Sequence, residues 1–251
     1  MKLLVLSGLT CDQGRRRVLD GIDLTIRAGE FVGLLGRNGA GKTTLLRAAQ
    51  GLIPAGGWSS LADMPAHERA RMAAFMPQGR EIAWPMSVES LVALGRIAHP
   101  DAAGAADLAA TERAIAALDL GALRHRPATG LSGGEQARAL IARALAQETS
   151  LLLADEPISG LDPAAQIRVM RLFAALAKDG KGVVASLHDL GLAARHCTRL
   201  VLLEQGRIVA DGAPSKVLSA RNLAQCFGIT AQMTQTADGL SFQVQDVTEP
   251  H

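Results

Sequence analysis

The stretch Gly36-Arg37-Asn38-Gly39-Ala40-Gly41-Lys42-Thr43 fits the spacing G-x-x-x-x-G-K-[ST] without a mismatch, between an apolar run ending at Leu35 and a helical pattern closing at Gly51. Glycines let the backbone wrap closely. Successive N–H groups and the N-terminus of the following helix then face a polyphosphate, where the helix dipole also favours negative charge. Lys42 adds a mobile positive charge for the β- and γ-phosphates, and the Thr43 hydroxyl is a hard oxygen ligand suited to Mg²⁺. A second acidic group follows another apolar run, in Leu151-Leu152-Leu153-Ala154-Asp155-Glu156-Pro157. Asp155 at the strand tip suits Mg²⁺ held through water, while Glu156, pointing elsewhere, suits polarising the water that attacks a γ-phosphate. Alone, the pair reads as a solvated acidic loop; beside a phosphate loop it reads as the second half of a phosphoryl-transfer site.

Such residues need a rigid frame. Short apolar runs at Glu30–Leu35, Leu151–Ala154 and Val183–Leu187 alternate with helical patterns, which predicts an α/β core with a mostly parallel sheet and ligands at the strands' carboxyl ends. Partial alternation over Arg17–Ile26 predicts antiparallel strands with one exposed face, a small β-subdomain. From about Val88 the chain is rich in Ala and Leu with no strand pattern, broken by Pro100 and Gly104, and reads as a helical insert over about 88–140. Leu200–Val209 resembles two strands around a Gln-Gly turn, followed by a helix near Ala220–Cys226. The division expected is one domain over 1–230 and a C-terminal tail over 231–251.

With 251 residues the chain has room for one large domain or a domain carrying a subdomain. Its 26 basic and 24 acidic residues leave a net charge of +2, which gives no reason to expect a nucleic-acid partner. At 48% hydrophobic and 20% charged residues it can bury a core, so disorder is not expected. No apolar run reaches the roughly 18 residues of a membrane span, and the start lacks a secretory pattern, so a soluble intracellular protein is expected. Cys11, Cys197 and Cys226 lie far apart without a Cys-x-x-Cys pair and read as buried thiols.

Leu131-Ser132-Gly133-Gly134-Glu135-Gln136 has a plain structural explanation, an S-x-x-E capping box before a helix with an apolar face. Beside a phosphate loop it resembles the signature motif of ATP-binding cassette (ABC) ATPases, without a mismatch. The resemblance implies a P-loop NTPase core with an antiparallel β-subdomain and a helical insert, and ATP with Mg²⁺ as its ligands. It implies ATP on Gly36, Asn38, Gly39, Gly41, Lys42, Thr43 and Thr44, with Ser132, Gly133, Gly134 and Gln136 facing the ATP of a second copy in a head-to-tail homodimer. Gln78 in Phe75-Met76-Pro77-Gln78 resembles the Q-loop glutamine, which reaches Mg²⁺ and the attacking water, joining Thr43 and Asp155 at the metal. Ser159-Gly160-Leu161-Asp162 resembles the D-loop, which contacts the opposite subunit, and His188 resembles the switch histidine on the γ-phosphate, so Glu156, His188 and Gln78 are the expected catalytic residues.

DNA-repair and chromosome ABC ATPases insert coiled coils or zinc modules between phosphate loop and signature, and translation-type members carry two cassettes; this chain has neither. The resemblance therefore implies a transporter ATPase at the cytoplasmic face of the cell membrane, with permease subunits on separate chains and a periplasmic or extracellular binding protein as an indirect partner. Other importers or exporters and a DNA-repair-type ATPase are the alternatives. Gly95-Arg96-Ile97-Ala98-His99-Pro100 and the stretch from Val217 to Ile229 are similar to iron-siderophore, haem and cobalamin importer ATPases. Two features depart from the family. No aromatic precedes Phe31, which leaves Arg15, Arg16 or Arg17 as candidates to lie against the base, and Gly51–Gln78 is short where a fuller β-hairpin is expected. A permease contact is expected at Ile82-Ala83-Trp84-Pro85-Met86 beside Gln78, with Arg80 and Glu81 as a polar rim.

Overall fold

The computed structural model describes residues 1–79, 82–99, 104–236 and 239–248; Arg80, Glu81 and Pro100, singled out above, lie outside them. β1 (Lys2–Gln13) and β2 (Arg16–Arg27) pair antiparallel, with Val5 opposite Thr25 and Gln13 opposite Arg16. The pair buries Leu4, Leu6, Ile22 and Ile26 and keeps its other face polar, as an antiparallel sheet covered on one side requires. β3 (Phe31–Leu35) leads through the phosphate loop into α1 (Lys42–Ala49). β4 (Gly56–Ser59) then returns to β1 as the third strand of the subdomain. That single strand stands where the fuller hairpin was expected, and α2 (Ala66–Met72) and β5 (Ala73–Met76) complete the segment.

The insert is helical: α3 (Val88–Ala93), a 3-10 turn over Leu94–Ala98, α4 (Ala105–Ala117) and α5 (Gly133–Ala146). Ser87 caps α3 through a hydrogen bond from the Ser90 N–H, and Gly104 immediately precedes α4. Next come β6 (Leu151–Ala154), α6 (Pro163–Lys178), β7 (Gly182–Ser186), α7 (Leu190–His196), β8 (Arg199–Glu204) and β9 (Arg207–Gly212). The segment expected as a tail contains a hairpin, β10 (Ile229–Thr236) with β11 (Gly239–Val247), which packs Met233, Leu240 and Phe242 on the core beside α7.

The core sheet runs β5-β6-β7-β3-β8-β9, parallel except for β9. Strand alternation divides β3 between two cores. Phe31 and Leu35 face the insert side, where Phe31 meets Phe173 of α6 edge-on at 5.8 Å, while Val32 and Leu34 face α1 and the β-subdomain. Each buried side chain of this size contributes about 1.5–3 kcal/mol of transfer free energy. Among the described residues no helix is long and apolar enough to cross a membrane, and Cys11, Cys197 and Cys226 are buried, free thiols.

Candidate functional site

Strand order makes the site. β5, β6, β7 and β3 are consecutive neighbours, so the loops leaving their carboxyl ends, which carry Gln78, Asp155-Glu156, His188 and the phosphate loop, lie side by side. A cavity of about 330 Å³ opens there, walled by Lys42, Thr43 and Thr44 with Gln78 and Glu156 opposite. Asn38, Gly39 and Gly41 of the phosphate loop and Gln13, Arg16 and Val18 of the β-subdomain complete its lining.

The phosphate loop needs its glycines for close packing. At Gly36, with φ +144°, a Cβ would stand 2.3 Å from the Leu203 carbonyl oxygen. Gly41 precedes α1 with no side-chain cap, which leaves first-turn N–H groups for an anion. Lys42 is 6% exposed, and its Nζ donates to the carbonyls of Gly36 at 2.6 Å and Arg37 at 3.2 Å. Burial lowers its pKa, and the nearby Glu156 and Asp155 carboxylates partly offset that. Thr44 Oγ1 accepts a bond from Gln13 Nε2 at 3.4 Å.

The two carboxylates take separate directions. Asp155 is buried; its Oδ1 accepts from Ser186 Oγ at 2.7 Å, and its Oδ2 has no hydrogen-bond partner among the described residues. Glu156 adopts left-handed backbone with φ 49°, a conformation costing a non-glycine residue on the order of 1 kcal/mol. Its N–H donates to the same Ser186 oxygen at 2.8 Å, and its Oε1 lies 2.6 Å from His188 Nε2. Asp155 does not itself line the cavity, but its buried Oδ2 has no hydrogen-bond partner among the described residues, and Thr43 and Gln78 line the cavity that the adjacent Glu156 enters; these are oxygen donors of the kind Mg²⁺ takes. Ser186 escaped the sequence reading because nothing local marks it: it is the last residue of an otherwise apolar strand, and both its partners are distant in the chain.

Ser132, Gly133, Gly134 and Gln136 do not line this cavity. The capping box at the start of α5 is formed: Ser132 N–H and Oγ both donate to Glu135 Oε2, at 2.8 and 2.9 Å. Those two bonds, the backbone one foremost, lower the Glu135 pKa. Ser132 and Gly133 stay exposed, with the helix N-terminus presented outward. Asp162 caps α6, its Oδ1 accepting from the Ala165 N–H at 2.8 Å, and also lies outside the cavity.

Of the three arginines offered for the base, the structure distinguishes one. Strand alternation turns Arg16 with Val18 to the cavity, whereas Arg17 points away and binds Asp12 at 2.6 Å. The Gly95–His99 stretch has an architectural part. A Cβ on Gly95 would fall 2.2 Å from the Arg143 carbonyl oxygen, so glycine lets the 3-10 turn seat on α5. Arg96, 8% exposed, binds Asp107 at 2.7 Å, the Ala146 carbonyl at 2.7 Å and Glu148 at 3.0 Å, and His99 Nε2 meets the Gln147 carbonyl at 2.8 Å. The turn so held forms, with α2 and α5, a groove of about 850 Å³ bordered by Leu94 and Ile97. Ile82 and Met86 pack on the core, while Trp84 is 71% exposed.

Residues 19–159 match the family described as ABC transporter. The chain is 42% identical over 234 residues to the hemin import ATP-binding protein HmuV of Streptomyces coelicolor, covering 90% of this chain and 83% of that protein. It is 40% identical over 232 residues to the cobalamin import ATP-binding protein BtuD of Halobacterium salinarum, covering 89% of this chain and 58% of that one. Among solved structures it resembles a subunit of a metal-chelate-type ABC transporter in an inward-facing conformation, with TM-score 0.84, 26% identity and 99% of both chains covered. It also resembles the dimeric cassette MJ0796 bound to ADP and phosphate, with TM-score 0.76, 26% identity, and 84% and 98% coverage.

Proposed function

The chain belongs to the ABC transporter family as an ATP-binding subunit, and from that premise we propose that it hydrolyses ATP to power import of a metal chelate of the haem or cobalamin kind. The observation that carries the ATPase reading is the order β5-β6-β7-β3, which sets the phosphate loop, Gln78 and Glu156 on one cavity and His188 beside Glu156. In this reading the first turn of α1 and Lys42 hold the β- and γ-phosphates, Lys42 exchanging the Gly36 and Arg37 carbonyls for phosphate oxygens. Thr43, Gln78 and Asp155 Oδ2 would hold Mg²⁺, which neutralises phosphate charge when bound.

Glu156 accepts the proton of the water that attacks the γ-phosphate, and the products are ADP and phosphate. His188 Nε2 lies 2.6 Å from Glu156 Oε1, so in this reading the histidine that meets the γ-phosphate also holds the carboxylate of the base. Arg16 lies against the base by its planar guanidinium, where the family places an aromatic.

The signature faces outward, away from its own cavity, which supports a head-to-tail pair in which each copy completes the other's site. In this reading the permease docks in the groove bordered by Leu94 and Ile97, whose shape depends on Arg96, with Trp84 a second anchor, and the subunit sits at the cytoplasmic face of the membrane. The test is transport. Vesicles enclosing Mg-ATP and carrying the chain with the permease that co-purifies with it should accumulate haem or cobalamin supplied outside, and uptake of neither would overturn the cargo class.

A further inference from the structure

We propose that Ser186 is the positioning residue of the hydrolytic site, one buried hydroxyl setting both the carboxylate of Asp155 and the backbone of Glu156. The inference rests on the ATP-hydrolysis reading above. Ser186 has 0% exposure at the end of β7, following the apolar Val183, Val184 and Ala185. A hydroxyl in such a place is costly unless paired, and this one is paired twice. Its Oγ–H donates to Asp155 Oδ1 at 2.7 Å while its oxygen accepts the Glu156 N–H at 2.8 Å. A serine hydroxyl has one donor and two acceptor lone pairs, so both bonds are made at once and each restricts the other.

The consequences for the two acids differ. Holding Oδ1 fixes the plane of the Asp155 carboxylate and leaves Oδ2, buried and without a hydrogen-bond partner, as the oxygen available to a cation. Holding the Glu156 N–H secures a left-handed residue that L side chains seldom adopt, with φ 49°. The direction of the Glu156 side chain, and so its 2.6 Å approach to His188, follows from that backbone. The bonds run between adjacent parallel strands β6 and β7, which ties the water-activating acid and the metal-facing acid to one rigid point.

Ser186→Ala removes both bonds with little change in volume, and Ser186→Thr restores the hydroxyl. In the full chain, Ser186→Ala should lower kcat about 10- to 100-fold and raise the Mg²⁺ concentration for half-maximal hydrolysis about 5-fold or more, the range typical of supporting groups around metal sites. ATP affinity measured by calorimetry in EDTA should stay within about twofold, because the phosphate loop is untouched, and Ser186→Thr should recover most of kcat. A merely structural serine would shift the melting temperature without moving the Mg²⁺ dependence. The proposal is overturned if a folded Ser186→Ala keeps the parental kcat and Mg²⁺ dependence, or if ATP affinity in EDTA falls as much as kcat. Should Ser186→Ala not fold, Ser186→Thr against Ser186→Cys decides on the same readouts: threonine active and cysteine impaired supports the proposal, and equal activity overturns it. Failure of the ATPase reading itself shows separately, as no release of phosphate from Mg-ATP by the parental chain.

Discussion

Replacing Lys42 by alanine removes a cation buried in the wall of the cavity, and two opposing effects set the outcome. The ligand-free fold loses the bonds from Nζ to the Gly36 and Arg37 carbonyls, but it also sheds the cost of burying an ammonium that is only 6% exposed. These offset one another, so the melting temperature should move little. Nucleotide binding has no such compensation. A charge-assisted hydrogen bond to phosphate contributes about 1.5–3 kcal/mol, which corresponds to a roughly 10- to 150-fold loss of ATP affinity. Burial also lowers the Lys42 pKa from the ordinary 10.5, so in the parental chain ATP affinity should fall as pH rises through a window below that value, and the variant should lack this slope. Calorimetry of ATP binding across pH, with thermal melts as the control for folding, measures each quantity. Affinity within about twofold of the parent in a folded Lys42→Ala would refute the assignment of this loop as the phosphate site.

Arg16→Ala should weaken ATP about 2- to 5-fold yet leave tripolyphosphate affinity unchanged, since a cation against a base ring contributes only modestly at an exposed site. Equal loss for both ligands would make Arg16 a phosphate contact instead. Ser132→Arg should abolish the ATP-dependent dimer seen by sedimentation in a Glu156→Gln background while ATP affinity of the single subunit persists; an unchanged dimer contradicts the head-to-tail pairing. Ile97→Asp, which charges the rim of the groove by α2, should reduce co-purification with the permease and leave basal hydrolysis intact, with Trp84→Ala doing so to a smaller extent. Unaltered assembly in both variants would move the docking site elsewhere.

The phosphate loop and the Asp155-Glu156 pair could be read from the sequence because phosphate recognition is local: a few consecutive residues carry the turn, the N–H groups and the charge. The strands they follow were also legible, within one residue, from short apolar runs bounded by polar groups. Strand order was not, and it is what joins Ser186 to residues 30 and 31 positions away. Choosing Arg16 over its neighbours required the register that sets Gln13 opposite it. The Gly95-Arg96 pair suggested kinship, but its physical work, close approach to α5 and a buried guanidinium clamp, is visible only in three dimensions. The C-terminal hairpin did leave a signal: Ile229, Ala231 and Met233 alternate with polar residues, as do Leu240, Phe242 and Val244.

Hydrolysis by Glu156 is tested most directly by phosphate release from Glu156→Gln measured alongside ATP binding in the same preparation. The amide keeps the shape of the side chain but cannot accept the proton of the attacking water, so phosphate release should fall about 10²-fold or more while ATP affinity stays near that of the parent. Turnover close to the parental rate, with ATP bound equally well, would contradict the account.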